Sequence, residues 1–89
     1  MPTAFALNQN YPNPFNPTTI IKYALPKYIK IVIKVYDILG REVKTLVNEF
    51  QKAGYYNITF DGSNYASGVY FYRIEAGEFK QSKKMVLVK

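Results

Sequence analysis

Asp37, Glu42, Glu49, Asp61, Glu75 and Glu78 are the only carboxylate side chains, and with histidine and cysteine both absent they would have to carry any acid–base or metal chemistry. A catalytic carboxylate pair needs two carboxyl groups facing one another across a cleft, which a small β domain rarely provides. These acids fall mostly at expected turns and strand ends, where Asp and Glu serve backbone amides and solvent. Without His or Cys there is no imidazole base, no thiolate nucleophile and no zinc site. Ser63, Ser67 and Ser82 could in principle be paired with a lysine, but loop serines beside glycine read as turn formers. Asp61-Gly62-Ser63-Asn64 begins like a calcium loop and lacks the later ligands. The expectation is a protein that is not an enzyme, with no catalytic, cofactor-binding or metal residues and no cofactor.

The elements that position these residues are strands. Nine Tyr and six Phe in a chain of 89 residues favour a β-sandwich or barrel over a helical bundle. That length makes one small domain with room for one function, its stability coming from packing because no disulfide is possible. Residues 1–4 read as an artificial start or the end of a linker. The formal charge of +6 makes the surface cationic without identifying what it binds. No run is long and apolar enough to cross a membrane, and Met1-Pro2-Thr3 does not begin a signal peptide. The chain is therefore expected to be either cytosolic or a piece of something larger.

Ala66 to Ile74 is the segment around which the rest is organised. Gly68 opens it, aromatic and β-branched residues fill it, and Glu75-Ala76-Gly77-Glu78 closes it as a hairpin loop. Alternation sends Tyr70, Tyr72 and Ile74 to the core and Val69, Phe71 and Arg73 outward. Apolar residues on both faces place this strand in the middle of a sheet. Before it come a short edge strand at Phe5-Ala6-Leu7 and a proline-rich ordered arm at residues 8–17, anchored on the domain by Tyr11 and Phe15. Thr18 to Leu25 and Ile29 to Tyr36 are strands, Lys30 and Lys34 being gatekeepers on the outer face of an exposed strand. Residues 37–41 and 51–54 are turns. Residues 42–50 have apolar residues at helical spacing, yet their β-favouring composition predicts a strand. Tyr55 to Phe60 and Phe79 to Val88 complete the set, Met85 and Leu87 facing inward. About seven strands with short turns predict an all-β, immunoglobulin-like antiparallel sandwich, in which Tyr70 bonds back to the preceding loop as a tyrosine corner.

Two non-enzymatic functions follow from the residues alone. Aromatics on a basic sheet can stack nucleic-acid bases, but the lysines are spread over every strand and Arg is scarce, so no nucleic-acid partner is expected. A structural or adhesive immunoglobulin-like module of a cell-surface protein, carbohydrate-binding through a platform of Val69 and Phe71, remains open.

A third function comes from resemblance. Leu7-Asn8-Gln9-Asn10-Tyr11-Pro12-Asn13-Pro14-Phe15-Asn16-Pro17-Thr18-Thr19-Ile20, Val35-Tyr36-Asp37-Ile38-Leu39-Gly40-Arg41-Glu42-Val43, Ala66 to Ile74 and Lys84 to Lys89 resemble the successive motifs of the type A C-terminal sorting domain of the type IX (Por) secretion system. Gly68, Tyr70 and Ile74, the Pro12-Asn13-Pro14 segment and the lysine-bounded closing run match the pattern. Lys27-Tyr28-Ile29 departs from it, and leaves the hairpin there open. The resemblance implies a secretion signal following an N-terminal passenger. Passenger and signal would pass through the periplasm, be recognised by the outer-membrane translocon, and be processed by sortase-like proteins as the passenger reaches the cell surface or the medium. No insertion of the domain into the membrane is implied.

Pro12, Asn13, Pro14, Gly68, Tyr70, Lys83, Lys84 and Lys89 are the candidate recognition residues. The closing strand comes first among them, because its lysines are expected to be solvated, rigidly presented and near the chain end. The residue inventory predicts no hydrolase or transferase activity and no stoichiometric metal in the purified domain. One tightly held ion per chain by elemental analysis would overturn that expectation.

Overall fold

In the computed structural model, which describes residues 1–89, the alternating stretches become seven strands: β1 (Ala6–Leu7), β2 (Thr18–Leu25), β3 (Ile29–Asp37), β4 (Glu42–Gln51), β5 (Gly54–Asp61), β6 (Gly68–Ala76) and β7 (Phe79–Leu87). All pairings between these strands are antiparallel, in one sheet of order β1-β2-β5 and another of order β4-β3-β6-β7. The fold is the all-β sandwich that the strand count predicts. Side-chain alternation delivers Ile21, Tyr23 and Leu25 from β2, Ile31, Ile33 and Val35 from β3, and Tyr70, Tyr72 and Ile74 from β6 to one shared core, closed by Met85 and Leu87.

β6 lies between β3 and β7, as its two apolar faces imply. The β6–β7 loop is Gly77-Glu78, with Gly77 at φ +60° in the first loop position, the signature of a two-residue type II′ hairpin. The β3–β4 turn is held by Asp37, whose Oδ1 accepts the N–H groups of Leu39 and Arg41, each at 2.9 Å. The Arg41 amide is the main reason that this carboxyl titrates below its ordinary range.

Four features differ from the sequence reading. β3 is an interior strand, paired to β4 from Ile29 and to β6 from Val32 onward, so Lys34 does not guard an exposed edge and its Nζ lies 3.0 Å from Glu42 Oε1 instead, while Lys30 precedes the β6 pairing and faces Phe50 of β4. Pro26-Lys27-Tyr28 is not a hairpin, because it carries the chain from the sheet of β2 to the sheet of β3, with the Tyr28 ring stacked on Phe50 at 5.4 Å. Val69 and Phe71 are half-buried among their sheet neighbours and do not form a protruding platform. Tyr11 is 81% exposed and anchors nothing through its ring, whereas Phe15 is 1% exposed.

β4 shows why its periodicity misleads. Ile33 faces Val47 but Lys34 faces Thr45, and Val35 faces Lys44 but Tyr36 faces Glu42. Leu46 and Val43 are therefore the extra residues of two β-bulges. Each bulge resets the alternation, so Val43, Leu46 and Val47 all reach the core from a strand that reads as helix-spaced.

Tyr72 is the largest fully buried side chain, and its hydroxyl donates to Asn8 O at 2.6 Å, tying the middle of one sheet to the chain entering the arm. Burial raises its phenol to about 12, the unfolded value being about 10. The raised group contributes stability that is fully present below about pH 10 and is lost as pH rises through the folded value. Chemical denaturation across that alkaline range should cost the wild type up to roughly 2–3 kcal/mol more than Tyr72→Phe, which starts lower by ~1 kcal/mol at neutral pH for want of the hydrogen bond. Parallel pH profiles for the two proteins would contradict this.

Candidate functional site

Three prolines give the arm a surplus of carbonyls over N–H donors, and a surplus acceptor taken from water must find another donor. Neighbouring amide and hydroxyl groups supply them. Asn10 is buried, its Nδ2 donating to Pro12 O at 3.2 Å and to Thr19 Oγ1 at 3.0 Å, and the Thr19 hydroxyl donates to Pro12 O at 2.8 Å. Gln9 Nε2 donates to Asn10 Oδ1 and to Lys84 O, both at 2.7 Å. The arm is thus rigid and already attached to β7.

Its second half pairs with the closing strand directly. Phe15 N donates to Val86 O, and Val88 N donates to Phe15 O, each at 2.9 Å. Asn13 Oδ1 accepts the Val86 N–H at 3.0 Å across a separation of 73 positions. The Phe15 ring enters the core and meets Phe60 edge-on at 5.9 Å. The last part of β7 is therefore flanked by the arm on one side and by the start of β6 on the other, where Gly68 is opposite Leu87.

Gly68 has φ +152° and open space where a side chain would begin, so backbone conformation and not crowding requires glycine. Crowding does apply at Gly62, where a Cβ would lie 2.9 Å from Leu87 Cδ2 and 3.2 Å from Pro17 O. Its N–H donates to that same Pro17 carbonyl at 2.8 Å. Tyr70 Oη donates to Ala66 O at 2.6 Å, the expected corner bond, which fixes the approach to β6. Beyond β7, Lys89 N donates to Ser67 Oγ at 3.0 Å and Lys89 Nζ to Ser63 O at 2.6 Å. Asp61 Oδ1 accepts both the hydroxyl and the N–H of Ser63, and these bonds, the hydroxyl first, lower its carboxyl; Lys44 and Lys89 add smaller effects of the same sign.

Pro12, Asn13, Pro14, Gly68, Tyr70, Lys84 and Lys89 accordingly gather at one end of the sandwich. Lys83 does not join them. It is half-buried on the face of β7 that carries Met85 and Leu87, opposite Tyr72, while Lys84 is exposed on the other face. The expected cluster of solvated lysines is split, because adjacent strand residues point to opposite faces. Asn10, Gln9, Thr19 and Ser67 are the residues that strand patterning missed, and the excess of proline carbonyls was the signal pointing to the first three.

Five of the six acids are held locally. Asp37 is tied to Arg41, Glu42 to Lys34, Glu49 to Gln51 and Asp61 to Ser63. Glu75 Oε2 lies 3.1 Å from Arg73 Nε, a charge contact whose N–H axis points elsewhere, since that nitrogen has no hydrogen-bond partner. The assembled end is a rigid surface of arm, loop and chain terminus, suited to being recognised.

A family model described as the secretion system C-terminal sorting domain matches residues 9–89. No curated protein and no solved structure gives a significant match.

Phe15→Ala should lower stability by about 3–5 kcal/mol, because it empties a core position and unseats the arm. Tyr70→Phe should cost about 1 kcal/mol through the lost corner bond. Urea denaturation measures both, and a Phe15→Ala variant as stable as wild type would show that the arm is not part of the folded unit.

Proposed function

The chain belongs to the family of type IX secretion C-terminal sorting domains, and on that premise we propose that the secretion machinery reads the end of the sandwich where arm and closing strand are joined. As a sorting domain it directs its cargo toward the cell surface or the extracellular space and interacts with the type IX machinery. This is not a catalytic family. The finer reading is that the domain travels through the periplasm behind an N-terminal passenger, that the outer-membrane translocon binds it there, and that sortase-like processing proteins act on the complex afterwards.

The observation that carries the location is the backbone pairing of Phe15 with Val86 and Val88, which presents the Pro12-Asn13-Pro14 segment and the chain end as one surface. Within it, Pro12, Asn13, Pro14, Lys84 and Lys89 are the contact candidates. Gly68 and Tyr70 act by shaping the adjoining loop, since Tyr70 is buried and its hydroxyl is taken by Ala66. Lys83 is assigned to the closing strand's own edge and not to recognition, because it turns toward the interior face.

A passenger carrying an export signal, fused ahead of this domain in a bacterium with the type IX machinery, should appear outside the cell. Lys84→Glu with Lys89→Glu should leave the domain folded, with stability within about 1 kcal/mol of wild type, and should retain the passenger in the periplasm. Circular dichroism of the purified domain and immunoblotting of periplasm and medium read the two effects separately. Undiminished secretion by the folded double variant would remove the lysines from the contact surface.

A further inference from the structure

A sandwich built from two open sheets has four edges, and each exposed edge is a template on which another strand can add. Three of these edges carry a device against it. β1 is only two residues long. β4 is broken by the bulges at Val43 and Leu46 and carries Glu42, Lys44 and Glu49. β7 is covered by the arm from Lys84 onward and bears Lys80 and Lys83 before that, Lys83 turned toward the core face.

β5 has none of these. From Gly54 to Phe60 it contains no charge and no proline, and its eight pairs with β2 run without a register shift. Tyr55 is 75% exposed at its start.

The hydrogen-bond phase of this edge follows from its neighbour. Tyr11 and Ile20 exchange both backbone bonds, and Asn8 N donates to Lys22 O, so Ile20 and Lys22 direct their backbone groups toward β1 and the arm. Alternation then directs those of Thr19, Ile21 and Tyr23 toward Phe60, Ile58 and Tyr56 of β5, and the Gly62–Pro17 bond continues that series. The backbone groups of Tyr55, Asn57 and Thr59 are left pointing away from β2 with no partner in the chain.

We propose that β5 is a self-pairing edge, by which two copies of this chain join in an antiparallel β5–β5 ladder centred on Asn57. With Asn57 on the two-fold axis, Tyr55 of each copy faces Thr59 of the other, an aromatic and β-branched pair of the kind that stabilises sheets. These three hydrogen-bonded pairs exchange about six backbone bonds. The half-buried Tyr56 and Ile58 meet Ile58 and Tyr56 of the second copy on the core side. Charge complements the same register, because Lys52 and Asp61 bracket the uncharged stretch and the two-fold brings each lysine end against the other copy's aspartate end. A chain of charge +6 can therefore associate here without like charges meeting across the seam. Pairing uses the edge of both copies and closes the assembly at two. This inference is independent of the sorting role.

The chain has no cysteine, so single-cysteine variants report the seam directly. Sedimentation velocity of the 89-residue chain should show a concentration-dependent monomer–dimer equilibrium. Asn57→Lys, which sets two ammonium groups face to face, should weaken it at least about tenfold while leaving the thermal melt unchanged at concentrations low enough that both proteins are monomeric. Under mild oxidation Asn57→Cys should form a disulfide dimer much faster than Thr59→Cys, because the two Thr59 positions lie about 13 Å apart in this register, beyond disulfide reach. A chain that stays monomeric at every concentration, equal cross-linking of the two cysteine variants, or growth past the dimer would each overturn the proposal. Monomer that pairs through β5 only with a strand of another protein would overturn it as well.

Discussion

The end of the sandwich where arm and closing strand meet depends on one backbone pairing between segments far apart in sequence: Phe15 in the arm bridging Val86 and Val88. A closing strand bonded only to β6 would present half of its backbone groups to water and could fray. The arm supplies those bonds from Gln9 through Phe15, held in place by Asn10 and Thr19, which both donate to the Pro12 carbonyl. The Phe15 ring adds the hydrophobic contribution that ordering such a segment requires, since backbone fixation costs about 1–2 kcal/mol per residue. On the proposed reading recognition and stability reside in the same atoms, which is why charge changes on Lys84 and Lys89 probe the site more cleanly than deletions do.

The remaining strand edges show the same economy of means by other routes. β4 is twisted out of register, β7 is charged and covered, and β1 is too short to template anything. Against that background the bare stretch of β5 stands apart, and its unpartnered backbone groups fall in a register that complements itself.

Much of this was legible in the sequence. The alternation in β6 identified its inward residues, as it did Met85 and Leu87 in β7, and the position of Tyr70 near the start of its strand, just after a loop, anticipated its bond to that loop. The arm's motif, together with those around Val35, Ala66 and Lys84, pointed to the family whose model spans residues 9–89. What was not legible depended on pairing between distant segments. Nothing local to Tyr11 tells whether its ring or its backbone does the anchoring; the backbone does, against Ile20. Nothing local to Pro26-Lys27-Tyr28 distinguishes a hairpin from a crossing between sheets, because both need a short polar break. The split between Lys83 and Lys84 was available from strict alternation and was obscured by reading the lysines as a group. In β4 the bulges defeat any period-two reading, since an inserted residue is invisible until its partner strand is known.

Amide hydrogen exchange followed by NMR at Phe15, Val86 and Val88 tests the central claim most directly, because these three N–H groups make the joint itself. If the arm and closing strand fold as one unit, all three exchange as slowly as the interior amides of β6, by global unfolding. If instead they exchange at the rate of exposed loops while β6 stays protected, the arm is only loosely attached, and the end of the sandwich is not the rigid surface described above.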